Sequence, residues 1–549
     1  MKKWIPLMIL GAAQFVMVLD SSVMNVSISQ IVADLDTTIT GVQLAITAYT
    51  LVMAAFMLVG AKLGDIYGRD RIFAIGLAVY GLGSLTTALS PNLGVLLFGW
   101  SLVEGLGAVM VIPAIAALIV SNYEGQMRAL AYGIIGGVAG AAIALGPLIG
   151  GWVTTTFSWR YVFAAETVVV VGILLVRKLM RSAQPSERRP QLDLFGAALS
   201  AAGLGLAVFG ILKSSEWGWI QPRGAPEIGG TEITPFGLSV VLFLIVIGLC
   251  LLGAFWEWEE HRERRGKDTL VDRSLLKIVP LSAGLKTLVM QQLVLLGTFF
   301  VLPVYLQVVL GLDAFETGKR LFPMSITMLV AALAGPRLAA RLAPKRVVQV
   351  GLGGLAIGAF CLMGTIDVKL NTLQFSLSLA LFGLGIGLVI SQLGNVIMSS
   401  VDESKTNEAG GLQGTAQNLG ASLGTALIGS VLIAGLTSGF VSRIEDSSQL
   451  PQRAKTQIVA VAEQGLDVVP VSEVEEAAKQ AGLRPGQAEE VADSYGAAEL
   501  DGLQNALLAV ALLCVVSFWF TRHLPGRAEV GERTEPAPEG MPDRLAAGT

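Results

Sequence analysis

Residues 5–31 read IPLMILGAAQFVMVLDSSVMNVSISQI, a run in which Asp20 is the one ionisable group. At ~1.5 Å rise per residue a helix of this length crosses a ~30 Å hydrocarbon core, so the stretch predicts a membrane span with an acid roughly midway along it. Placing an ionisable side chain at that depth costs at least ~2.5–3.5 kcal/mol, and the expectation is that it faces an internal cavity and serves a function. Snorkelling to the headgroups, or a structural pairing, is the alternative. Asn25, a turn and a half further on, adds a second polar group.

The rest of the chain has the same character. Of 549 residues 53% are hydrophobic and only 15% charged, with a mean hydropathy of +0.66, where a globular protein carries about 25% charged residues. That composition is of an integral membrane protein. A net charge of −4 argues against nucleic acid as a partner, since a phosphate-binding surface needs clustered Lys and Arg. Cys250, Cys361 and Cys514 lie inside apolar runs without ligand spacing and read as small buried hydrophobes. His261 and His523 sit in charged loops, so no metal site is expected. No H-E-x-x-H occurs, and the G-x-S-x-G match at 420–424 lies inside an apolar run rather than at a strand-to-helix nucleophile turn, which argues against an intramembrane enzyme. Lys2 and Lys3 precede a run without a small-residue cleavage site, so the first run reads as a retained span rather than a signal peptide.

Fourteen apolar runs follow one another, near 5–31, 41–60, 72–89, 93–120, 129–153, 161–176, 195–212, 235–256, 278–306, 322–335, 347–365, 373–398, 411–438 and 503–520. The tenth is interrupted by Pro323 and Pro336. An even count puts both termini on one side. Loops after even-numbered runs carry Lys62, Arg69 and Arg71, then Arg177, Lys178, Arg181, Arg188 and Arg189, then Arg262, Arg264, Arg265 and Lys267, then Arg337, Arg341, Lys345 and Arg346. Opposite loops at 90–92 and 367–371 hold one basic residue between them, so both termini are expected in the cytoplasm and the membrane is expected to be the plasma membrane.

Two segments lie outside this pattern. Residues 441–501 are polar and acidic, assigned to the outside, and Ser472-Glu473-Val474-Glu475 forms a capping-box pattern ahead of a short helix closed by Gly482. One or two small helices are expected there. The tail after Arg522 is rich in Pro, Glu, Gly and Arg and is expected to be disordered.

Three stretches carry chemistry. Between the second and third runs the chain reads GAKLGDIYGRDR over residues 60–71, where glycines permit a tight turn and Asp65 can exchange partners with the arginines. The fourth run holds Ser101-Leu102-Val103-Glu104-Gly105-Leu106-Gly107-Ala108, and the fifth holds Gly146-Pro147-Leu148-Ile149-Gly150-Gly151 among further glycines at 133, 136, 137 and 140. Small residues there let helix backbones approach, and the proline bends the span.

These stretches resemble the major facilitator superfamily. The first resembles its signature loop, with Ala61 and Ile66 as departures, and the likeness implies a gating role for Asp65, Gly68, Arg69 and, with them, Arg71. The second resembles R-x-x-Q-G-x-G-A, with Ser101 in place of an Arg implicated in proton transfer and Glu104 in place of Gln. Gly146, Pro147, Gly150 and Gly151 match the antiporter motif of the drug-exporting branch, where Ala142 replaces an earlier Gly. Residues 19–26 and 157–163 are similar to stretches of the fourteen-span drug:proton antiporters of the EmrB/QacA type, and Glu166 stands where that branch has Asn. The likeness covers residues 4–520, and the loop at 335–346 looks like a decayed copy of the first with Ala340 at the acid position.

The resemblance implies an all-α major facilitator fold: two six-helix bundles plus two inserted helices, 14 transmembrane helices in all. Residues 1–176 would form the first bundle, 177–274 a linker with the extra helices, 275–521 the second bundle with an extracellular insertion at 439–501, and 522–549 a disordered cytoplasmic tail. Binding is then expected between the bundles near mid-membrane. Asp20, Glu104 and Glu166, with Asn25, are the candidates for proton coupling and substrate binding, while Gln291, Gln292, Gln392, Asn395, Gln413, Gln417 and Asn418 give the second bundle a polar, uncharged lining. Lys286 is expected at the cytoplasmic interface.

Desolvation favours a protonated acid and a bound lipophilic cation favours the carboxylate, so proton and cargo compete for one charge. One proton moving down ~100 mV releases ~2.3 kcal/mol, enough for a more than tenfold gradient of a neutral compound. The expectation is a monomeric, proton-coupled exporter of drugs or other hydrophobic or cationic small molecules in a lipid bilayer, without a cofactor beyond the proton. Export of an endogenous lipid or secondary metabolite is the rival within transport, and a transport-inactive membrane sensor or assembly partner the rival outside it.

Overall fold

A computed structural model describes residues 4–123, 125–180, 191–222, 226–228, 231–401, 405–463 and 466–526. Arg181, Arg188, Arg189 and residues 527–549 of the expected disordered tail lie outside the described residues. In chain order the helices are α1 (Ile5–Val26), α2 (Ile28–Leu35), α3 (Ile39–Tyr67), α4 (Arg69–Ala88) and α5 (Leu93–Leu96), which runs through a π-helical segment, Leu97–Glu104, into α6 (Gly105–Asn122). Then come α7 (Gly125–Thr156), α8 (Arg160–Val176), α9 (Leu194–Trp217), α10 (Val240–Arg264), α11 (Arg273–Leu276) and α12 (Val279–Val304). The last are α13 (Ala314–Leu342), α14 (Pro344–Met363), α15 (Thr372–Ser399), α16 (Thr406–Asp446), α17 (Gln452–Glu463), α18 (Val471–Gln480) and α19 (Pro485–Phe520). A two-residue antiparallel ladder pairs Glu227 with Glu232 and Ile228 with Thr231 between α9 and α10.

Eleven of the described helices are long and apolar enough to cross a membrane, and the bent α7 makes a twelfth. The 17-residue α8 and the 29-residue α13, whose ends carry Glu316, Lys319, Arg337 and Arg341, bring the spans to fourteen. Pro323 and Pro336, expected to interrupt the tenth span, lie inside the single helix α13. Large apolar side chains such as Leu82, Phe98, Leu175, Ile357 and Trp519 are exposed around the barrel of helices, as a lipid-facing surface requires. Cys250 and Cys361 share that surface, so of the three cysteines expected inside only Cys514 is buried.

The packing repeats itself. In the first half α1 packs on α7, α3 and α4 on α6, and α4 on α8; in the second α12 packs on α16, α13 and α14 on α15, and α14 on α19. The halves meet through α3 against α16 and α7 against α13, two seams that exchange under the same pseudo-two-fold. The turns match too. Gly68 (φ 96°, ψ 130°) is the single residue between α3 and α4, and Ala343 (φ 69°, ψ 145°) is the single residue between α13 and α14. Counting back from each, Asp65 and Ala340 occupy the same place, which is the register of the decayed copy.

Three sequence expectations change in detail. The run 5–31 is not one helix, because the chain turns at Ser27 and restarts as α2, which moves Asp20 from mid-span to the last two turns of α1. The insertion does hold two short helices, α17 and α18, but α18 begins at Val471 behind Pro470 with no side-chain cap, and Ser472 lies within it. A proline fixes φ at the helix start and makes the serine cap redundant. Gly482 does end that segment, at φ 87°. Residues 522–526, placed in the tail, belong to the fold: Leu524 is buried, and Lys345 Nζ reaches the Arg522 carbonyl at 2.5 Å.

Ala343 holds a backbone conformation in which its Cβ is strained by about 1–3 kcal/mol. Ala343→Gly should therefore raise the melting temperature of the purified protein in detergent, while Gly68→Ala should lower it. Equal melting temperatures for both variants and the parent would contradict this account of the two turns.

Candidate functional site

Each of the three intramembrane acids is carried to one point by a different helix. Asp20 comes from the end of α1, Glu104 from the π-helical segment ahead of α6, and Glu166 from the middle of α8. All three are buried, and one carboxyl oxygen of each lies within 4.8 Å of the others. Like charges at that spacing would repel by roughly 3 kcal/mol at an effective dielectric near 20, so the charge on each depends on that of the other two. Among the described residues no hydrogen bond or ion pair joins a Lys or Arg to any of the three.

Neutral donors hold the cluster. Trp100 Nε1 donates to both oxygens of Asp20, at 2.8 and 3.0 Å, and its ring stacks on Tyr49 with centroids 4.6 Å apart and planes 5° from parallel. Ser84 Oγ donates to Glu166 Oε2 at 3.0 Å and Tyr80 OH approaches it at 3.4 Å. Both oxygens of Glu104 and Oε1 of Glu166 are buried without a hydrogen-bond partner. Among the described residues this is the one group of acids clustered closely enough to hold a metal ion. Trp100, Tyr49, Tyr80 and Ser84 were not singled out in the sequence, because an aromatic or hydroxyl in an apolar run is ordinary; the recoverable signal was a buried ring with a polar end, which needs a partner.

Local structure explains the convergence. A π-helical segment widens the turn by one residue, and here it contains Trp100, Ser101 and Glu104 together. A Cβ on Gly83 of α4 would sit 2.5 Å from the Glu104 backbone nitrogen, and one on Gly107 would sit 2.4 Å from that of Tyr80. Those two glycines bring α4 against the fourth span and fix Glu104 beside Tyr80 and Ser84. Ser101 Oγ donates to the Ala45 carbonyl of α3 at 2.9 Å, filling with a short tether the place of the related proteins' Arg. Asn25 is buried, donating to the Ser21 carbonyl at 2.7 Å with its own Oδ1 unpartnered, and does not bond to the acid cluster.

The other predicted residues lie elsewhere. Asp65 and Arg69 pair at 3.0 Å beside Gly68, and Arg177 reaches Asp70 at 3.6 Å, while Arg71 is exposed. Gly146 and Gly150 face α1, where a Cβ would lie 2.3 Å from Ser22 Cβ and 2.7 Å from Val23 Cγ2. Gly151 faces α13, with its would-be Cβ 2.3 Å from the Ala314 carbonyl oxygen, and Gly318 of α13 meets the Pro147 carbonyl in return. Pro147 and Gly151 thus sit in the seam between the bundles, while Gly146 and Gly150 pack α7 on α1 within the first; all four lie just past a 45° bend in α7 next to Ile143, whose carbonyl Pro147 displaces. In the second bundle Gln291 is buried with neither amide atom partnered, and Gln292 and Gln413 each leave a buried oxygen free. Gln392 bonds Ser391 at 3.0 Å and Asn418 bonds the Gly414 carbonyl at 2.9 Å; Gln417 is half-buried and Asn395 is exposed. Lys286 is exposed near the start of α12.

The seam is closed at the end that carries the insertion. Gln307 accepts from Ser29 N at 3.1 Å and donates to the Val26 carbonyl at 2.8 Å, Phe315 N donates to Thr155 Oγ1, and Thr40 Oγ1 donates to Asp467 of the insertion at 2.7 Å. Nearer the end that carries the termini, the space beside Gly136 and Gly137 of α7 is open.

Two pseudo-symmetric six-helix bundles with a buried polar cluster and a one-sided seam define a membrane carrier. The chain belongs to the Major Facilitator Superfamily, which it matches over residues 10–222 and 225–425. It is 28% identical over 543 residues to the tetracenomycin C resistance and export protein of Streptomyces glaucescens, covering 98% of this chain and 94% of that one. It is 30% identical over 448 residues to the puromycin resistance protein of Streptomyces alboniger, covering 80% and 84%. In fold it resembles a bacterial homologue of the human lysosomal transporter Spinster, solved inward-facing and unoccupied, with a TM-score of 0.61, 14% identity, and 98% and 99% of the two chains covered.

Trp100→Phe removes the indole donor from a buried carboxyl, which should cost roughly 1–3 kcal/mol of stability. A thermal melt of the purified protein is expected to show the loss; a melt unchanged from the parent would mean that water or Tyr49 alone satisfies Asp20.

Proposed function

We propose that this chain is a proton-driven exporter of drugs and similar hydrophobic or cationic small molecules, working as a monomer in the plasma membrane. The observation that carries the reading is the cluster of Asp20, Glu104 and Glu166, buried together without a cation. A basic side chain among them would lock the charge; hydroxyl and indole donors leave it free to be carried by a proton or by cargo. Further support comes from the names of the relatives, which speak of antibiotic export and resistance.

Residues 1–176 and 275–521 are the two moving bundles in this reading, 177–274 the linker with its inserted hairpin, and 439–501 the part outside the cell. The basic residues cluster at the face that carries the termini, which the positive-inside rule assigns to the cytoplasm. The open space beside Gly136 and Gly137 then faces inward, and the protein rests closed to the outside. Asp65, Gly68, Arg69 and Arg71 gate the cytoplasmic face. Gly146, Pro147, Gly150 and Gly151 form the contact on which the outer side closes. The glutamines of α12, α15 and α16 give cargo neutral polar contacts opposite the acids.

A narrower reading has one observation in its favour. Relatives named as a probable actinorhodin transporter and a tetracenomycin C export protein point to a secondary metabolite as cargo. A panel of cationic dyes and neutral polyketides, tested for efflux with and without a protonophore, separates the two.

Asp20→Asn keeps the size of the side chain and takes away its titration. Reconstituted vesicles of this variant should show no proton movement driven by drug, at protein levels and melting temperature like the parent's. Coupling as strong as the parent's would remove Asp20 from the mechanism.

A further inference from the structure

A groove of about 640 Å³ runs between α1, α7 and α8 on the outer side of the first bundle. That volume suits a drug-sized molecule. Its walls are apolar over nearly their whole length, and α1 supplies them at helical spacing, with Ala12, Phe15 and Leu19 on one side facing Val138 of α7 and Val169 of α8. Beside Gly11 the walls stand far enough apart that a Cβ there would only reach ordinary contact with Val138, at 3.8 Å. The groove opens to the lipid-facing surface, where Met8 and Tyr161 on its rim are 71% and 62% exposed. One lining residue is ionisable at membrane depth: Glu166. Its Oε2 is held from the far side by Ser84, and its Oε1 is buried without a partner.

We propose that this groove is a membrane-facing binding site for a lipophilic cation drawn from the bilayer, with Glu166 supplying the counter-charge. The proposal rests on the exporter reading for the direction of transport but not for the site itself. Charge complementarity selects the occupant. An acyl chain would fill the apolar walls yet leave Glu166 Oε1 unsatisfied, and an anion would meet a like charge. A monocation with bulky apolar groups satisfies both the walls and the carboxyl.

The position of Glu166 gives the site a consequence. It belongs at once to the groove and to the acid cluster, whose oxygens lie within 4.8 Å, so when a cation pairs with the Glu166 carboxylate the proton that Glu166 held passes to an ionised Asp20 or Glu104 rather than to bulk water. The two seams between the bundles are each bridged along part of their length. The seam between α3 and α16 is bridged by Gln43 to the Thr425 carbonyl and Ser422 to the Thr47 carbonyl, and α9 covers it with Val208 and Leu212. The seam between α7 and α13 is shut where Gly151 and Gly318 meet the facing backbones.

The test uses the full chain in proteoliposomes with tetraphenylphosphonium as the cation. Ala12→Trp and Val138→Phe narrow the groove from two walls, away from the acid cluster, and their melting temperatures report whether they fold. We expect the KM for the cation to rise at least tenfold in both, with the maximal rate within twofold of the parent. A photoreactive aryl-azide phosphonium should label peptides of α1 and α8, and Glu166→Gln should reduce that labelling severalfold. A photoreactive phosphatidylcholine identifies the alternative occupant: labelling of the groove by the lipid that excess cation fails to displace would overturn the site, as would an unchanged KM in two folded variants. If the parent exchanges no protons for the cation, the exporter reading fails, and cation labelling at α1 and α8 still decides the groove.

Discussion

Three carboxyl groups share one buried point in this protein, and among the described residues no basic side chain pairs with them. In water such a cluster would dissolve into three solvated charges; within a bilayer it survives only as a set of groups that share protons, because each added negative charge meets low dielectric and its neighbours. The surrounding structure answers to that constraint. Indole, phenol and serine donors supply polarity without charge, a π-helical segment turns Trp100 and Glu104 inward together, and Gly83 and Gly107 let α4 close behind them. Ser101 belongs to the same design, because its hydroxyl, tied to the Ala45 carbonyl, adds no charge beside the acids.

The second constraint is that the bundles must be able to pack in more than one way. Interiors are close-packed and shift between discrete arrangements rather than deforming continuously. Helix α7 carries glycines along both halves of its length: Gly146, Gly150 and Gly151 meet facing helices closely, Gly140 lies within contact range of Leu329 of α13, and Gly136 and Gly137 face open space. Glycine destabilises a helix where it packs against nothing, so an unused stripe costs stability unless another arrangement closes on it. The bend beside Pro147 separates the two halves, which allows one to be closed while the other is open.

How much of this could be read from the chain follows from what each signal depends on. Asp20, Glu104 and Glu166 were legible because an acid in a long apolar run stands out against its immediate neighbours, and the spans themselves because apolar length is a local property. Convergence was not legible, since it depends on helix order, rotation and one extra residue in the π-helical turn. The aromatic donors were hidden for the opposite reason: Trp100 and Tyr49 blend into apolar sequence, and only their polar ends give them a role. Local rules also misled where two of them competed. At residues 470–475 a proline and a serine both mark a helix start, and the proline, being covalent, decides it. At residues 5–31 apolar length masked a turn at Ser27, where no glycine or proline marks the break.

The inserted pair of helices bears on how the bundles move. Helix α9 touches α3 of the first bundle and α16 of the second, through Val208 and Leu212 against Ala426 and through the bond from Ser430 to the Ile211 carbonyl. A helix fastened to both sides of a seam must slide along one of them whenever the seam opens. At the face of the termini the attachment is polar and firm. Asp193 accepts from Trp258 at 2.9 Å beside Arg262, and Glu259 accepts from the backbone of Leu270 and Val271. From there Asp272 joins Lys405 at 2.6 Å, ahead of α16. Burial works against the Asp272 carboxylate, yet the bonds from Lys405 and Ser274 hold its pKa below the ordinary value, so the ion pair persists at neutral pH. The contacts along α9 itself are mostly apolar, with the bonds from Ser430 to the Ile211 and Leu212 carbonyls as a polar tie to α16. Polar anchorage at one face and on α16, against greasy contact with α3, fastens the hairpin to the second bundle more firmly than to the first. That division fits a linker that rides with the second bundle while the first rocks past it.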